Sequence, residues 1–276
     1  MGDGPHRYGF GASVLGYSNM VLVDSLFASV VAALIVVTVA FCIALARTRR
    51  YDIIVVAWGM LFVAIAWTNV IINDANSIGL LVAMMVTIWA SRLSFHIVRR
   101  WLRSDHEDRR YVELRKTWPQ RLLPLQMFIR IYIVQALLAC IVTLPVISLI
   151  YSHQEFGTYV AVGAIVWLSG LVIETIADRQ LRQYMASSKP GGLMTKGLWS
   201  YSRHPNYFGE ILVWWGIAIM GIGTEFALLG FVGALVISCL IIFVSGIPPS
   251  ERGMKTRSGW EAYKKRTSVL VPLPKR

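Results

Sequence analysis

The sequence predicts an all-α, polytopic membrane protein with seven transmembrane helices, an external N-terminus, a cytosolic C-terminus and a small cytosolic cap. Three observations lead to this fold class: the composition, the length of the apolar runs, and the loops that hold the cations. Of the 276 residues, 56% are hydrophobic and 15% are charged, and the mean hydropathy is +0.58. A soluble domain usually carries about 25% charged residues. The composition therefore excludes a soluble globular enzyme, a disordered chain and a disulfide-rich secreted domain.

Seven apolar runs predict the transmembrane helices, and most of them reach the ~20 residues that a helix needs to cross ~30 Å of hydrocarbon. The sixth run is short, so its helix would lie where the membrane is thin or where protein surrounds it. We treat residues 1–276 as a single membrane domain. The runs cover about residues 22–46, 53–72, 78–98, 126–150, 158–178, 206–222 and 225–246.

The positive charges predict the orientation. Of the 27 Lys and Arg residues, 25 lie in segments that share one side of the membrane if the seven runs alternate. The exceptions are Arg7 near the N-terminus and Arg92 within the third run. The positive-inside rule then places the N-terminus outside and the C-terminus in the cytosol. We therefore interpret the net charge of +12 as contact with anionic lipid headgroups, and we expect no nucleic-acid partner.

The cysteines and histidines indicate neither a disulfide nor a metal site. Cys42, Cys140 and Cys239 each lie within an apolar run, and no CxxC pair occurs. The five histidines form no HxxxH or HxxHH pattern. We therefore expect no bound metal.

Polar residues at helical spacing lie near the predicted cytosolic ends of the runs. Glu174 and Asp178 are four residues apart on the fifth run, as are Asn206 and Glu210 on the sixth, so each pair occupies one helix face. An acidic residue at the centre of a membrane helix costs about 2.5–3.5 kcal/mol, and such residues usually face an interior site. The spacing therefore predicts a shared polar cavity toward the cytosol.

The segment that precedes the sixth run carries the strongest motif. Residues 197–210 read GLWSYSRHPNYFGE, in which aromatic residues alternate with Arg203, His204 and Asn206. Pro205 suits the first turn of a helix, because its missing N–H costs nothing there. A helix start offers unpaired N–H groups to a phosphate or a carboxylate. The residues alone predict an anionic, partly aromatic ligand at the inner face.

The motif resembles that of the DUF1295 family of bacterial membrane proteins, which is related to the C-terminal domain of steroid 5-alpha-reductases. It also resembles the RHPNYxG(D/E) segment of the delta-14 sterol reductases. Further similar segments are YDIIVVAW at 51–58, HEDRRYVELR at 106–115, ADRQLRQY at 177–184 and the tail from SGIPPSERG to VLVPLP. The reductase-like region thus covers residues 51–272. The resemblance implies a bacterial inner-membrane protein whose catalytic face is toward the cytosol.

The resemblance implies a lipid-modifying oxidoreductase that uses NADPH to reduce a C=C bond in a membrane lipid or steroid-like substrate. It assigns the cofactor to Asp178, Arg182, Trp199, Asn206, Tyr207, Glu210, Arg252 and Tyr263. The polar residues of the motif and the cations beside the sixth run add Lys196, Arg203 and His204 to this predicted cofactor site. The predicted substrate cavity comprises Asp52, Trp58, Arg92, Glu174 and Trp214. The chain lacks the Gln-Glu pair with which steroid 5-alpha-reductases polarise a 3-oxo group, so no catalytic residue is assigned.

Two other functions stay open at this point. Isoprenylcysteine carboxyl methyltransferases also carry an RHPxYxG motif and bind S-adenosylmethionine, and Glu251, Arg252 and Tyr263 suit that alternative. A transporter or another non-catalytic membrane protein would explain buried acidic residues, but inverted repeats, which mark many transporters, are not visible in the sequence.

Overall fold

The computed structural model describes residues 9–47, 50–102, 106–152, 154–187 and 192–274. Within these ranges the regular elements are helices, and the described strand pairing is confined to one isolated bridge between Ser202 and Ser268. The predicted all-α class is confirmed. By internal contacts the chain divides into two compact units, Met1–Thr143 and Leu144–Arg276.

In its described residues, the first unit contains three long helices and a broken fourth. The long helices are α1 (Gly9–Ala46), α2 (Ile53–Ile72) and α3 (Ser77–Leu102), and α4 (Arg109–Lys116) follows. A short 3-10 turn then leads into α5 (Leu123–Met127), a π-helical stretch (Phe128–Ile133) and α6 (Val134–Val142). Helix α2 packs between α1 and α3, and α1 also contacts α6. The buried face of α1 carries Ala33, Val37, Ala40 and Ala44, whose spacing of three or four residues keeps them on one helix face.

In the second unit, two short helices, which we call the cap helices, follow the longer ones. Its elements are α7 (Leu144–Tyr151), α8 (Thr158–Ser187), a 3-10 turn (Gly197–Ser200), α9 (Pro205–Met220), α10 (Ala227–Cys239), a π-helical stretch (Leu240–Val244), α11 (Ile247–Met254) and α12 (Trp260–Arg266). Helix α9 packs against α7, α8 and α10.

The predicted fourth run, residues 126–150, is not one helix. Helix α6 ends at Val142, where the Thr143 hydroxyl donates a hydrogen bond to the Ala139 carbonyl. Helix α7 then begins at Leu144 with Pro145, which has no N–H to continue the preceding ladder. The hydropathy of the run did not reveal this break, because every residue around it is apolar or small.

Within the described part of the chain, six helical segments are long and apolar enough to cross a membrane. They are Met20–Ala46, Ile53–Ile72, Ser77–Arg99, Gln120–Val142, Thr158–Ser187 and Ala227–Met254. The predicted sixth run, residues 206–222, corresponds to α9, which has only 16 residues and therefore a length of about 24 Å. Its shortness agrees with the sequence-based expectation.

Glycines let α8 and α9 approach each other through their backbones. A Cβ on Gly170 would lie 2.6 Å from the Gly209 carbonyl oxygen, and a Cβ on Gly163 would lie 2.5 Å from that of Gly216. The two glycines of each helix are seven residues apart, so they repeat along one face. Small residues at such an interface allow the close packing that holds membrane helices together. The seam fixes α9 against α8 along its length.

We expect Gly209→Ala to destabilise this seam by roughly 1–3 kcal/mol, the usual cost of overpacking. The new methyl group would meet backbone atoms of Gly170 and Glu174 at 2.6 Å, and backbone atoms have little room to yield. The measurement is the thermal unfolding midpoint of the purified protein in detergent. Gly253→Ala is the matched control, since nothing lies within 4 Å of the Cβ it would add. Equal midpoints for the two variants would contradict the seam.

Candidate functional site

The motif segment is held on the C-terminal half of α8. The Trp199 indole Nε1 donates a hydrogen bond of 3.1 Å to the Ala177 carbonyl, and the Leu198 N–H donates to Gln180 Oε1 at 3.0 Å. Gly197 makes the turn into this contact with a φ of 61°, a conformation that favours glycine. Trp199 is buried as a result.

The C-terminal tail closes over the other side of the same segment. The Tyr263 hydroxyl donates a 2.6 Å hydrogen bond to the Trp199 carbonyl, and the Ser202 hydroxyl donates at 2.6 Å to the Leu270 carbonyl. The Arg203 N–H donates to the Ser268 carbonyl at 2.8 Å. Burial raises the pKa of Tyr263 to about 12, so its phenol remains a hydrogen-bond donor at neutral pH.

The partly exposed carboxylate of Glu251 joins two members of the motif. Glu251 Oε1 lies 3.0 Å from Arg203 Nη2 and 3.3 Å from His204 Nε2. The Arg203 side chain is only 5% exposed, and its Nη1 donates to the Lys264 carbonyl at 3.0 Å. Its guanidinium also lies over the Trp260 ring, 5.6 Å from the centroid. Arg203 is thus committed to contacts within the protein.

His204 presents its ring at the start of α9. It is buried, and its ring stacks on Tyr207 with centroids 5.4 Å apart. The Tyr207 hydroxyl lies 3.0 Å from the Ser250 hydroxyl. Burial lowers the pKa of His204, and the Glu251 carboxylate opposes that shift without reversing it. The imidazole therefore stays neutral to a lower pH than an ordinary histidine, whose pKa is about 6.5.

A second polar cluster lies in the first unit, where the segment before α2 meets the segment before α4. Asp52 accepts three hydrogen bonds: from Trp101 Nε1 at 3.0 Å, from the Asp108 N–H at 3.0 Å and from Arg50 Nη2 at 3.2 Å. The Arg50 guanidinium also stacks over the Trp101 ring, 4.4 Å from its centroid. The resulting cluster fixes both segments to the end of α3.

Glu107 makes the second connection of this cluster. Its Oε1 accepts a 2.8 Å hydrogen bond from the Tyr51 N–H, and its Oε2 lies 2.7 Å from Arg115 Nη2. The Tyr132 hydroxyl in turn donates to the Tyr51 carbonyl at 2.9 Å. Burial raises the pKa of Glu107, while the Tyr51 N–H and Arg115 act in the opposite direction.

A cavity of about 310 Å³ opens beside these side chains, and we refer to it as the Asp52 cavity. Its polar lining comes from Arg50, Asp52, Trp101, His106, Glu107 and Asp108, and its apolar lining from Val55 and Ile97.

The family model of a protein of unknown function, DUF1295, matches residues 40–267. The chain belongs to the DUF1295 family. The match begins before the Asp52 cavity and ends at the α12 boundary, so it includes both polar clusters.

Among curated proteins, an uncharacterized protein of Schizosaccharomyces pombe is 27% identical over 58% of this chain. The chain spans about half, 56%, of the length of that relative. No solved structure matches the chain.

The structure of this DUF1295 protein brings together five of the predicted cofactor residues. Trp199, Arg203, His204, Tyr207 and Tyr263 form one connected cluster through the contacts described above. Glu251, which the cofactor assignment did not include, is the group that joins Arg203 to His204. The family-like tail segment that contains Glu251 was the available sequence signal. The position of Glu251 in that segment does not indicate which motif residue it contacts.

The remaining predicted cofactor residues differ in their exposure. Arg182, Lys196 and Arg252 are exposed, whereas Asp178, Asn206 and Glu210 are half-buried. Arg203 was predicted to contact the cofactor, and the structure buries its side chain against Glu251. The Glu251 carboxylate lies 48 residues downstream of Arg203 and 47 downstream of His204, so the spacing of the motif did not reveal it as their partner.

The predicted substrate-cavity residues are distributed over both units. In the first unit, Asp52 lines the Asp52 cavity. Trp58 packs edge-on against Phe62, and Arg92 lies within α3; neither residue lines that cavity. In the second unit Glu174 and Trp214 are buried. Glu174 lies directly beside α9, since a Cβ on Gly209 would be 2.7 Å from the Glu174 Cβ.

We expect Tyr263→Phe to lower stability by about 1–3 kcal/mol, because the Trp199 carbonyl would be left buried without this donor. The measurement is thermal unfolding followed by tryptophan fluorescence. Tyr201→Phe serves as the control, since Tyr201 is 47% exposed. A Tyr263→Phe midpoint equal to that of Tyr201→Phe would show that the buried phenol does not secure the tail.

Proposed function

We propose that this DUF1295 protein is a membrane-embedded, NADPH-dependent reductase of a C=C bond in a lipid or steroid-like substrate. One observation carries the proposal: five of the eleven residues predicted to hold the cofactor form one connected, largely buried cluster at the start of α9. Two sequence segments more than 50 residues apart contribute to it, residues 199–207 and Tyr263. A random motif match would give no reason for these positions to meet.

The residues around the cluster suit a dinucleotide. Asn206 Oδ1 is buried and has no hydrogen-bond partner among the described residues, so it fits an amide or amine donor of a ligand. The first N–H groups of α9 have no acceptor within the helix and suit an anionic group. Arg182, Lys196 and Arg252 would hold phosphates through charge-assisted hydrogen bonds. When bound, NADPH supplies the hydride.

The protein's own contribution would be positioning and exclusion of water. The Trp199 and Tyr263 contacts fix the loop before α9, and the glycine seam fixes α9 itself against α8. The apolar outer faces of the spans, such as Ile165, Leu168 and Val172 on α8, suit the entry of a lipid substrate from the bilayer. Orientation of this kind lowers a barrier by holding reactants in the reactive geometry.

A specific observation favours a second candidate, an S-adenosylmethionine-dependent methyltransferase of the isoprenylcysteine carboxyl methyltransferase type. Arg203 is committed to Glu251 and Lys264, so fewer cations remain to neutralise a dinucleotide's phosphates. S-adenosylmethionine carries no phosphate. Its sulfonium would suit an aromatic face such as that of Tyr207.

Seven membrane crossings form part of the proposal, and the contacts of the cap support them. The Arg203–Glu251 pair requires the segment before α9 and the segment after α10 to lie on the same side of the membrane. Two points on one side are joined by an even number of crossings. If Ala227–Met254 crosses, α9 must cross as well. Together with the cation distribution, this supports our proposal of a cytosolic cap that faces anionic headgroups. We propose a bacterial inner membrane from the family resemblance.

Ligand binding separates the candidate functions. We expect the purified protein to bind NADPH, and Arg252→Ala to weaken that binding by one to two decades, since a lost charge-assisted contact costs about 1.5–3 kcal/mol. Added salt should weaken the parent's binding too, because Arg252 is exposed. The readout is isothermal titration calorimetry, with Lys255→Ala, an exposed cation at the end of α11, as the control. Binding of S-adenosylmethionine alone would favour the methyltransferase, and binding of neither would favour a non-catalytic protein.

Cysteine labelling tests the crossing of α9. In a variant whose three native cysteines are replaced by serine, Glu225→Cys and Ala75→Cys should react with a membrane-impermeant maleimide in intact spheroplasts. Lys265→Cys should react only after permeabilisation, because α12 belongs to the cytosolic cap. Labelling of Ala75→Cys without labelling of Glu225→Cys would mean that α9 does not cross.

A further inference from the structure

The candidate span Gln120–Val142 carries an arginine on its outer surface. Its charged residues are Arg121 and Arg130, and Arg130 is exposed. Because four residues separate Arg130 from the start of the apolar run near residue 126, its Cα lies about 6 Å inside the hydrocarbon. Ionised side chains within a membrane span usually face an interior site. An arginine on the outer surface of a span therefore calls for a partner from outside the chain.

The Arg130 guanidinium is directed toward the membrane interface. Its Cζ lies over the Trp118 ring, 5.2 Å from the centroid, and Trp118 precedes the span. Long side chains on a helix point toward its N-terminus, and arginines near the end of a span extend their charge to the interface in this way. Tryptophan is enriched at the same depth. The ring thus holds the guanidinium at the level of the phospholipid headgroups.

The hydrogen-bond donors of this guanidinium are available to a ligand. Arg130 forms no hydrogen bond or ion pair with a described residue, and its described interaction is the contact with the Trp118 ring. Three other arginines of the same unit, Arg50, Arg110 and Arg115, each pair with a carboxylate. A guanidinium presents its N–H groups in a planar fork that matches the oxygens of a phosphate. An anion that carries a phosphate therefore suits Arg130.

An apolar stripe continues the exposed surface beyond Arg130. Val134, Leu137 and Ile141 are all exposed. Together with Arg130 they recur at intervals of three or four residues, which places them on one helix face. The stripe leads from the headgroup level toward the middle of the hydrocarbon. A cation followed by such a stripe matches a phospholipid, whose phosphate lies at the interface and whose acyl chain lies below it.

We propose that Arg130 and Trp118 form a site for one anionic phospholipid on the surface of the first unit. The Arg130 guanidinium donates to the lipid phosphate, and an acyl chain lies along the exposed apolar stripe. A lipid of net negative charge is favoured over a zwitterionic one, because the ammonium of a zwitterionic headgroup lies close to the phosphate and repels the arginine. This site is distinct from the general attraction of the basic segments for headgroups, and it does not depend on the reductase proposal.

Native mass spectrometry of the full-length protein in detergent tests the site. The protein is titrated with dioleoyl phosphatidylglycerol and, separately, with dioleoyl phosphatidylcholine. We expect the glycerol lipid to bind about tenfold more tightly, and Arg130→Gln to weaken its binding by about tenfold, since a charge-assisted contact is lost. Trp118→Leu, which removes the ring under the guanidinium, should weaken it by about threefold. The matched control is Arg266→Gln, which removes the same charge from an exposed arginine of α12 and should leave the binding unchanged.

The outcomes distinguish the lipid from other partners. Equal binding of the two lipids, or parental binding of the glycerol lipid by Arg130→Gln, would overturn the proposal. An equal loss in Arg266→Gln would overturn it too, because net charge alone would then explain the effect. Displacement of the lipid by glycerol 3-phosphate at similar concentrations would contradict the acyl-chain contact, and a dimer that Arg130→Gln abolishes would assign the residue to a second copy of the chain. Failure of NADPH binding would leave these results unaffected.

Discussion

The contact of Glu251 with Arg203 and His204 is the interaction on which the cap formed by α11, α12 and the loop before α9 depends. It joins the loop before α9 to the helix that follows α10, two parts of the chain separated by a helical hairpin. Removing one member of such a pair leaves the other charge buried, which costs about 3–5 kcal/mol. The Tyr263–Trp199 and Ser202–Leu270 hydrogen bonds also join the tail to the loop before α9, in addition to the Glu251 contact.

This connection explains why a short helix retains its position. Helix α9 has 16 residues and little length with which to anchor itself in a bilayer. Its start is fixed by the tail and its body by the glycines that face α8. Because both ends of the α9–α10 hairpin meet in the cap, the position of the first N–H groups of α9 is set by packing. A ligand site at a helix start requires this kind of rigidity.

The sequence predicted the parts of the structure that depend on local pattern. The all-α class, the apolar helices and the start of α9 at Pro205 follow from run length and from the properties of proline. The distant partners of Asp52 and Arg203 could not be predicted, because Trp101, Asp108 and Glu251 lie 48 to 56 residues away along the chain. The break at Thr143 was also missed, because hydropathy does not distinguish one long helix from two that meet at a proline.

The coupling between Arg203 and Glu251 is the most direct test of the central claim. A double-mutant cycle with Arg203→Met, Glu251→Gln and the combined variant, followed by reversible unfolding in mixed micelles, measures it. We expect the double variant to be more stable than the sum of the single losses predicts, by roughly 1–3 kcal/mol. A parallel cycle on the exposed residues Glu261 and Lys265 should give a coupling near zero. Additive losses at Arg203 and Glu251 would contradict the claim that this pair holds the cap together.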